Sequence, residues 1–199
     1  TCYSLHCISG YLAPKEVYPK AIEAAKKAIE LDEGLGEAHA SLGYLKFVFD
    51  WDIAGAEREF ERALKLSPGN VDVYFLYSMY LTGMGRFEEA IAGLKHVVEL
   101  DPAAPSNYIL LGVWGYQLAG RYDESIVQIK KGLDMDPSIL FGQLYLATGY
   151  ALKGLYREAI AQADKVLSVW SDPENVQILN SLGWVYAVSG QQEKARSLL

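Results

Sequence analysis

Four glycines, Gly85, Gly120, Gly154 and Gly190, stand 35, 34 and 36 residues apart, and each opens a short polar or aromatic segment. The same steps recur in other columns. Ala90, Ser125, Ala159 and Ala195 form one, and Leu81, Tyr116, Tyr150 and Tyr186 a second. Val97, Gly132 and Val166 keep the first two steps. The alanine column extends backwards to Ala56 and Ala21, so a period near 34 residues covers essentially the whole chain. One such unit cannot bury its own apolar face, and a periodic chain of this kind must therefore stack its copies side by side.

Within each unit, apolar residues recur at three and four spacing in two halves separated by short breakers, which predicts two helices per unit. The second halves are amphipathic, as in Arg58–Leu64, Glu88–Leu94 and Arg157–Ala163. Pro68, Pro102 and Pro137 close three of them, and Pro173 lies two residues beyond the matching place in the next, which accounts for the longer step. Small residues fill two columns, Ala56, Ala90, Ser125, Ala159 and Ala63, Val97, Gly132, Val166, as close helix approach requires.

Composition narrows the function classes. With 51% hydrophobic residues, 14 Tyr, 4 Trp and 6 Phe, the chain has the material for a core. A net charge of −7 and no run of Lys or Arg argue against nucleic acid or an anionic membrane surface as partner. The two Cys, both in the first seven residues, make no disulfide framework, which fits a reducing, cytoplasmic setting. The longest uncharged stretches are broken by Pro, Gly, Asn, Gln and Ser, so no membrane insertion is expected. Starting at Thr1 and ending on Ser197-Leu198-Leu199, the sequence reads as a piece of a longer protein.

The strings Leu182-Gly183-x-x-Tyr186-x-x-x-Gly190, Gly85-Arg86-Phe87-Glu88-Glu89-Ala90-Ile91, Gly120-Arg121-Tyr122-Asp123-Glu124-Ser125-Ile126 and Val98-x-Leu100-Asp101-Pro102 resemble tetratricopeptide repeats. The resemblance implies an all-α, right-handed α-α superhelix, a solenoid of about six helix-turn-helix units in a single domain spanning 1–199. The units fall near 1–35, 36–69, 70–104, 105–138, 139–173 and 174–199, the last truncated inside its second helix. Two units depart from the pattern. The first has Ala13-Pro14 and Pro19 where its inter-helix turn should be, which predicts a longer turn than standard, and the second carries one extra residue in the turn Phe49-Asp50-Trp51-Asp52-Ile53. The stretch Phe49–Phe60, with Glu37–Gly43 before it, also resembles repeat regions attached to bacterial signalling proteins such as nucleotide cyclases and winged-helix regulators.

Catalytic chemistry finds little support. His6, His39 and His96 are dispersed, and in the cluster Cys2, His6, Cys7 at most two ligands share a helix face, so no metal site is expected. The pairs Glu88/Glu89, Asp123/Glu124 and Glu57/Glu59 fall on the polar faces of second helices, where both members should be solvated rather than split in pKa. No glycine pattern precedes a helix to cradle phosphate, and no cofactor is expected. The chain is read as non-enzymatic.

The first helices carry the functional signal, because from the third unit onward they are nearly uncharged. The family resemblance places them on the inner, concave wall. Tyr74, Ile109, Gln143, Leu179 and the column Leu81, Tyr116, Tyr150, Tyr186 match its core pattern. Columns on the opposite side are expected to face the channel: Tyr44, Met79, Trp114, Thr148, Trp184, and one turn earlier Ala40, Phe75, Leu110, Leu144, Asn180. With Tyr145 they would form an apolar strip, and the predicted peptide-binding residues are Tyr44, Phe75, Met79, Leu110, Trp114, Leu144, Tyr145, Asn180 and Trp184. The alternative is that some of them pack between neighbouring units. Because these columns carry no Lys or Arg, clamping of an acidic chain terminus, as in some family members, is disfavoured. The expected partner is an apolar or amphipathic protein segment, with basic residues meeting Glu37 and Asp72 at the rim. Two rival readings are a regulatory module of a larger bacterial signalling or transcription protein, and a module for self-association into a homo-oligomer.

Overall fold

Each glycine of the 34-residue period proves to be a helix C-terminus. In the computed structural model, which describes residues 14–170 and 175–198, Gly85, Gly120, Gly154 and Gly190 have φ of 74°, 74°, 82° and 82°. The residue after each glycine donates its N–H five residues back, to the carbonyl of Leu81, Tyr116, Tyr150 and Tyr186 at 2.8–2.9 Å. That bond and the left-handed glycine define the Schellman termination. Two sequence columns therefore have one cause: the Leu/Tyr column supplies the accepting carbonyl and the glycine column the turn.

All elements among the described residues are helical, and they form two compact halves, Thr1–Leu100 and Asp101–Leu199. The first half contains α1 (Pro14–Leu31), α2 (Gly36–Leu45, extended by a π-helical turn Lys46–Asp50), α3 (Ile53–Leu66), α4 (Val71–Gly83) and α5 (Phe87–Leu100). The second contains α6 (Pro105–Leu110, continued by a π-helical stretch Leu111–Gln117), α7 (Tyr122–Met135), α8 (Leu140–Leu152), α9 (Tyr156–Val169), α10 (Val176–Val188) and α11 (Gln192–Ser197). The side chains of Asp52, Asn70 and Asn175 cap α3, α4 and α10, each accepting the N–H three residues on.

The small-residue columns lie at the helix crossings, with Ala56, Ala90, Ser125 and Ala159 fully buried, as are Ala63, Val97 and Val166. In the first half, Ala21 and Ala25 of α1 pack on Leu42 and Leu45 of α2. Phe60 of α3 sits beside Tyr77 and Tyr80 of α4 at ring distances of 5.4 and 5.2 Å. In the second half, Ile109 and Val113 join Ile126, Ile129 and Leu133 of α7 and Leu146 of α8. A further cluster unites Leu144, Ala147 and Ala151 with Ala159, Ala163 and Val166 of α9 and Ile178, Leu182 and Tyr186 of α10.

Two sequence expectations need correction. Pro14 and Pro19 do not lengthen a turn, because α1 begins at Pro14 and runs through Pro19. Proline suits a first helical position, and Pro19 removes one N–H near the start of an 18-residue helix without ending it. Ala13 lies outside the described residues.

Glu59 is the second correction, since it is not a solvated carboxylate. It accepts from Lys46 Nζ at 3.1 Å and lies 2.8 Å from Nδ1 of the buried His39. Burial opposes its charge, but the hydrogen bonds from His39 and Lys46 and the Lys46 charge outweigh it, and the carboxyl is held below the usual glutamate range. A lowered acid pKa stabilises the fold above the unfolded value, and that contribution is lost as pH falls through the folded value. In urea titrations the advantage of the native chain over Glu59→Gln should therefore shrink as pH drops below 4.5. A pH-independent gap would contradict the assignment.

Candidate functional site

The end of α6, the C-terminal half of α8 and the middle of α10, all first helices of the second half, border a common hollow of about 370 Å³. Gln117 and Leu118 at the end of α6, Thr148 and Leu152 of α8, and Asn180, Ser181 and Trp184 of α10 line it. None of the seven is charged. Trp184 is 41% exposed and Leu118 50%, and Leu152 is also exposed. Thr148 spends its hydroxyl on the Leu144 carbonyl at 3.0 Å, and Gln117 Oε1 accepts from Ser125 Oγ at 3.3 Å. Two polar lining groups are thus satisfied internally, which leaves a mostly apolar floor beside the exposed Asn180 amide.

The nine residues predicted from sequence divide sharply. Trp184 and Asn180 line the hollow. Leu110, Trp114 and Tyr145 are half-buried in the second half, with Trp114 and Tyr145 packed against the Ile109–Leu146 cluster. Burial pushes the Tyr145 phenol pKa up, so that side chain is neutral. Leu144 is wholly inside, against α10. In the first half Tyr44, Phe75 and Met79 are buried. For these three and Leu144 the packing alternative describes what is seen: their helices are covered on more than one side, and a face that periodicity marks as apolar is used for stacking. At the expected rim, Asp72 is exposed, whereas Glu37 accepts from Asn70 Nδ2.

Leu118 and Leu152 were not singled out by the columns, although the signal was there. They stand four residues after Trp114 and Thr148, so the column that ends in Trp184 continues one helical turn further. The exposed Val188 holds the same place after Trp184.

A larger hollow of about 530 Å³ lies on the second-helix side, where Tyr116 and Tyr150 adjoin Asp123, Glu124, Lys130 and Lys153. Most of its charges are matched locally, Lys153 to Asp123, Glu124 to Arg121, and Lys130 over the Tyr150 ring. No group of three or more His, Cys, Asp or Glu able to hold a metal occurs among the described residues, and the Cys2–Cys7 cluster lies outside them. No helix among the described residues is long and apolar enough to cross a membrane.

Family models described as tetratricopeptide repeat match residues 52–111 and 146–199. The chain belongs to the tetratricopeptide-repeat family. It is similar to the TPR repeat-containing protein YpiA of Bacillus subtilis, 28% identical over 135 residues that make up 65% of this chain and 30% of that protein. It is also similar to the transcriptional regulator HilA of Salmonella typhimurium, 32% identical over 101 residues, 51% of this chain and 18% of that protein. The chain thus spans less than a third of the length of either relative. Among solved structures, PilW, a type IV pilus biogenesis factor, superposes with a TM-score of 0.72 at 18% identity, covering 100% of this chain and 88% of that one. YrrB, described as a TPR protein with an unusual peptide-binding site, gives 0.56 at 18% identity over 89% and 90%. These likenesses establish an all-α tetratricopeptide solenoid and support a protein-interaction module.

Proposed function

We propose that the chain is a non-catalytic, cytoplasmic scaffold and that the α6–α8–α10 hollow holds an uncharged, apolar segment of a partner protein. The observation that supports this most directly is Trp184, a large aromatic left substantially exposed beside Leu118 and Leu152 in a concave, chargeless setting. Exposed apolar surface gathered in a hollow is what a partner's side chains can desolvate, and the Asn180 amide offers a peptide backbone one polar contact. YrrB, a protein of this fold described as having a peptide-binding site, lends support to a peptide-binding role.

The reading is tested by retention of proteins from a lysate of the source organism on the native chain and on Trp184→Ala. As a central anchor, Trp184 should contribute about 2 kcal/mol or more, a loss of roughly thirtyfold in affinity for the retained partner. Equal retention by both chains, with helicity unchanged in circular dichroism, would move the site elsewhere. Self-association predicts a mass that rises with concentration in light scattering, and a constant monomer mass would remove it.

The likeness to HilA supports a second reading, in which these repeats regulate a domain on the same polypeptide. A DNA-binding or cyclase segment in the coding sequence beside this region, with output altered by Trp184→Ala, is the result it expects.

A further inference from the structure

The turn between α2 and α3 occupies the same place in the period as the four glycine turns, yet it holds a tryptophan. Trp51 has φ 55°, the one positive-φ residue other than glycine among those described. The insertion read from the sequence is visible in the bonds: the Asp52 N–H reaches six residues back to the Lys46 carbonyl, where the other turns reach five. A bulky L-residue adopts this backbone only against steric resistance. The indole gains almost nothing from packing, since Trp51 is 77% exposed.

The segment that carries it is nonetheless tightly held. Phe49 stacks on Tyr18 at 4.6 Å, and the Tyr18 hydroxyl donates to Asp50. Phe47 meets Tyr80 edge-on at 5.2 Å, and the Asp52 carboxylate accepts the Gly55 N–H at 2.9 Å. A fixed turn therefore presents an indole to solvent with an exposed aspartate on either side of it along the chain, Asp50 and Asp52, whose carboxylates accept from the Tyr18 hydroxyl and the Gly55 N–H. An exposed aromatic ring with a carboxylate one residue before it and one after it is complementary to a guanidinium, which can stack on the ring while its N–H groups reach a carboxylate. The net charge of −7 adds long-range attraction for such a group.

We propose that Trp51, with Asp50 and Asp52, is a docking point for an arginine-bearing segment of a partner protein. It lies in the first half of the chain and stands or falls independently of the apolar hollow in the second.

The test uses the indole N–H signals of the 4 tryptophans in ¹⁵N-labelled protein, the Trp51 signal being the one absent from Trp51→Gly. The probe is acetyl-Gly-Arg-Gly-Arg-Gly-amide at low ionic strength, with the Gln-for-Arg peptide as control. The Trp51 signal should shift saturably with the arginine peptide alone. The apparent affinity should fall about fivefold or more in Asp50→Asn/Asp52→Asn, which retains the side-chain carbonyls that accept from Tyr18 and Gly55. Trp51→Gly should melt no lower than the native chain, since glycine suits this φ. An unmoved Trp51 signal, an equal response to the glutamine peptide, or undiminished binding by the Asn double variant would overturn the proposal. A lower melting temperature for Trp51→Gly would do so too, because it would give the indole a role within the fold.

Discussion

Phe60→Ala is expected to lower the unfolding free energy by about 3–5 kcal/mol, enough to remove much of the stability of an ordinary domain. Phe60 is completely buried in α3 and reaches both neighbouring first helices. On one side its ring stands against the α2 backbone, where a Cβ added to Gly43 would lie 3.2 Å from Cδ2. On the other it contacts Tyr77 and Tyr80 of α4. Truncation leaves a cavity shared by three helices, none of which can close it without giving up contacts of its own. In a repeat array the stability of each unit includes its interface with the next, so a deletion at that interface weakens both neighbours. Urea denaturation followed by circular dichroism should show the loss as a lower midpoint. Amide exchange should show it concentrated in α2, α3 and α4. A change below about 1 kcal/mol would mean that the three helices do not depend on this ring.

Gly132→Val should destabilise by about 2–3 kcal/mol, although valine is what the same column holds at Val97 and Val166. In an exposed helix the replacement would gain a few tenths of a kcal/mol of helix propensity. Here a Cβ on Gly132 would stand 2.5 Å from the Pro105 carbonyl oxygen and 2.8 Å from Ile109 Cγ1. The first of these is backbone in the opening turn of α6 and cannot swing aside as a side-chain tip can. Gly112 repeats the situation at the other end of the crossing, its added Cβ falling 3.0 Å from the Ser125 carbonyl and 2.6 Å from Ile129 Cγ1. The α6–α7 pair is thus closer than a Cβ permits at two points. The measurement is a thermal melt of Gly132→Val beside Val166→Gly. The first should lose stability by crowding and the second by cavity and backbone entropy, so opposite substitutions in one column should both destabilise. A neutral Gly132→Val would show that the pair can move apart freely.

The period, the two helices per unit and the turn glycines were all legible in the residues, because each follows from local rules. Left-handed turns select glycine, helix ends select proline and capping side chains, and crossings select small residues. These rules act within a few residues of one another and survive without tertiary information. The columns Leu81–Tyr186 and Gly85–Gly190 were found as spacing and turned out to belong to one hydrogen-bonded motif, the first supplying the carbonyl that accepts from the residue after each glycine. Even the extra residue before α3 was countable, although its consequence, a tryptophan carrying the positive φ, was not.

The candidate site was legible only in outline. Trp184 and Asn180 line the hollow, while Phe75, Met79, Tyr44 and Leu144 are buried. A first helix in this fold is apolar on several sides. The period that marks one apolar face cannot say which is covered by a neighbouring helix and which is left open. That depends on how far each neighbour extends, and Leu118 and Leu152 are exposed beyond the place where the columns were stopped. The His39–Glu59–Lys46 cluster escaped for a related reason, since its members are 20 and 13 residues from Glu59 and meet only when α2 and its π-helical turn lie against α3. By itself the sequence determined the repeat, its helices and its turns, through interactions that reach one or two helical turns along the chain. Tertiary structure alone decided which apolar side chains stay exposed, because exposure belongs to the packing of helices that are distant in sequence.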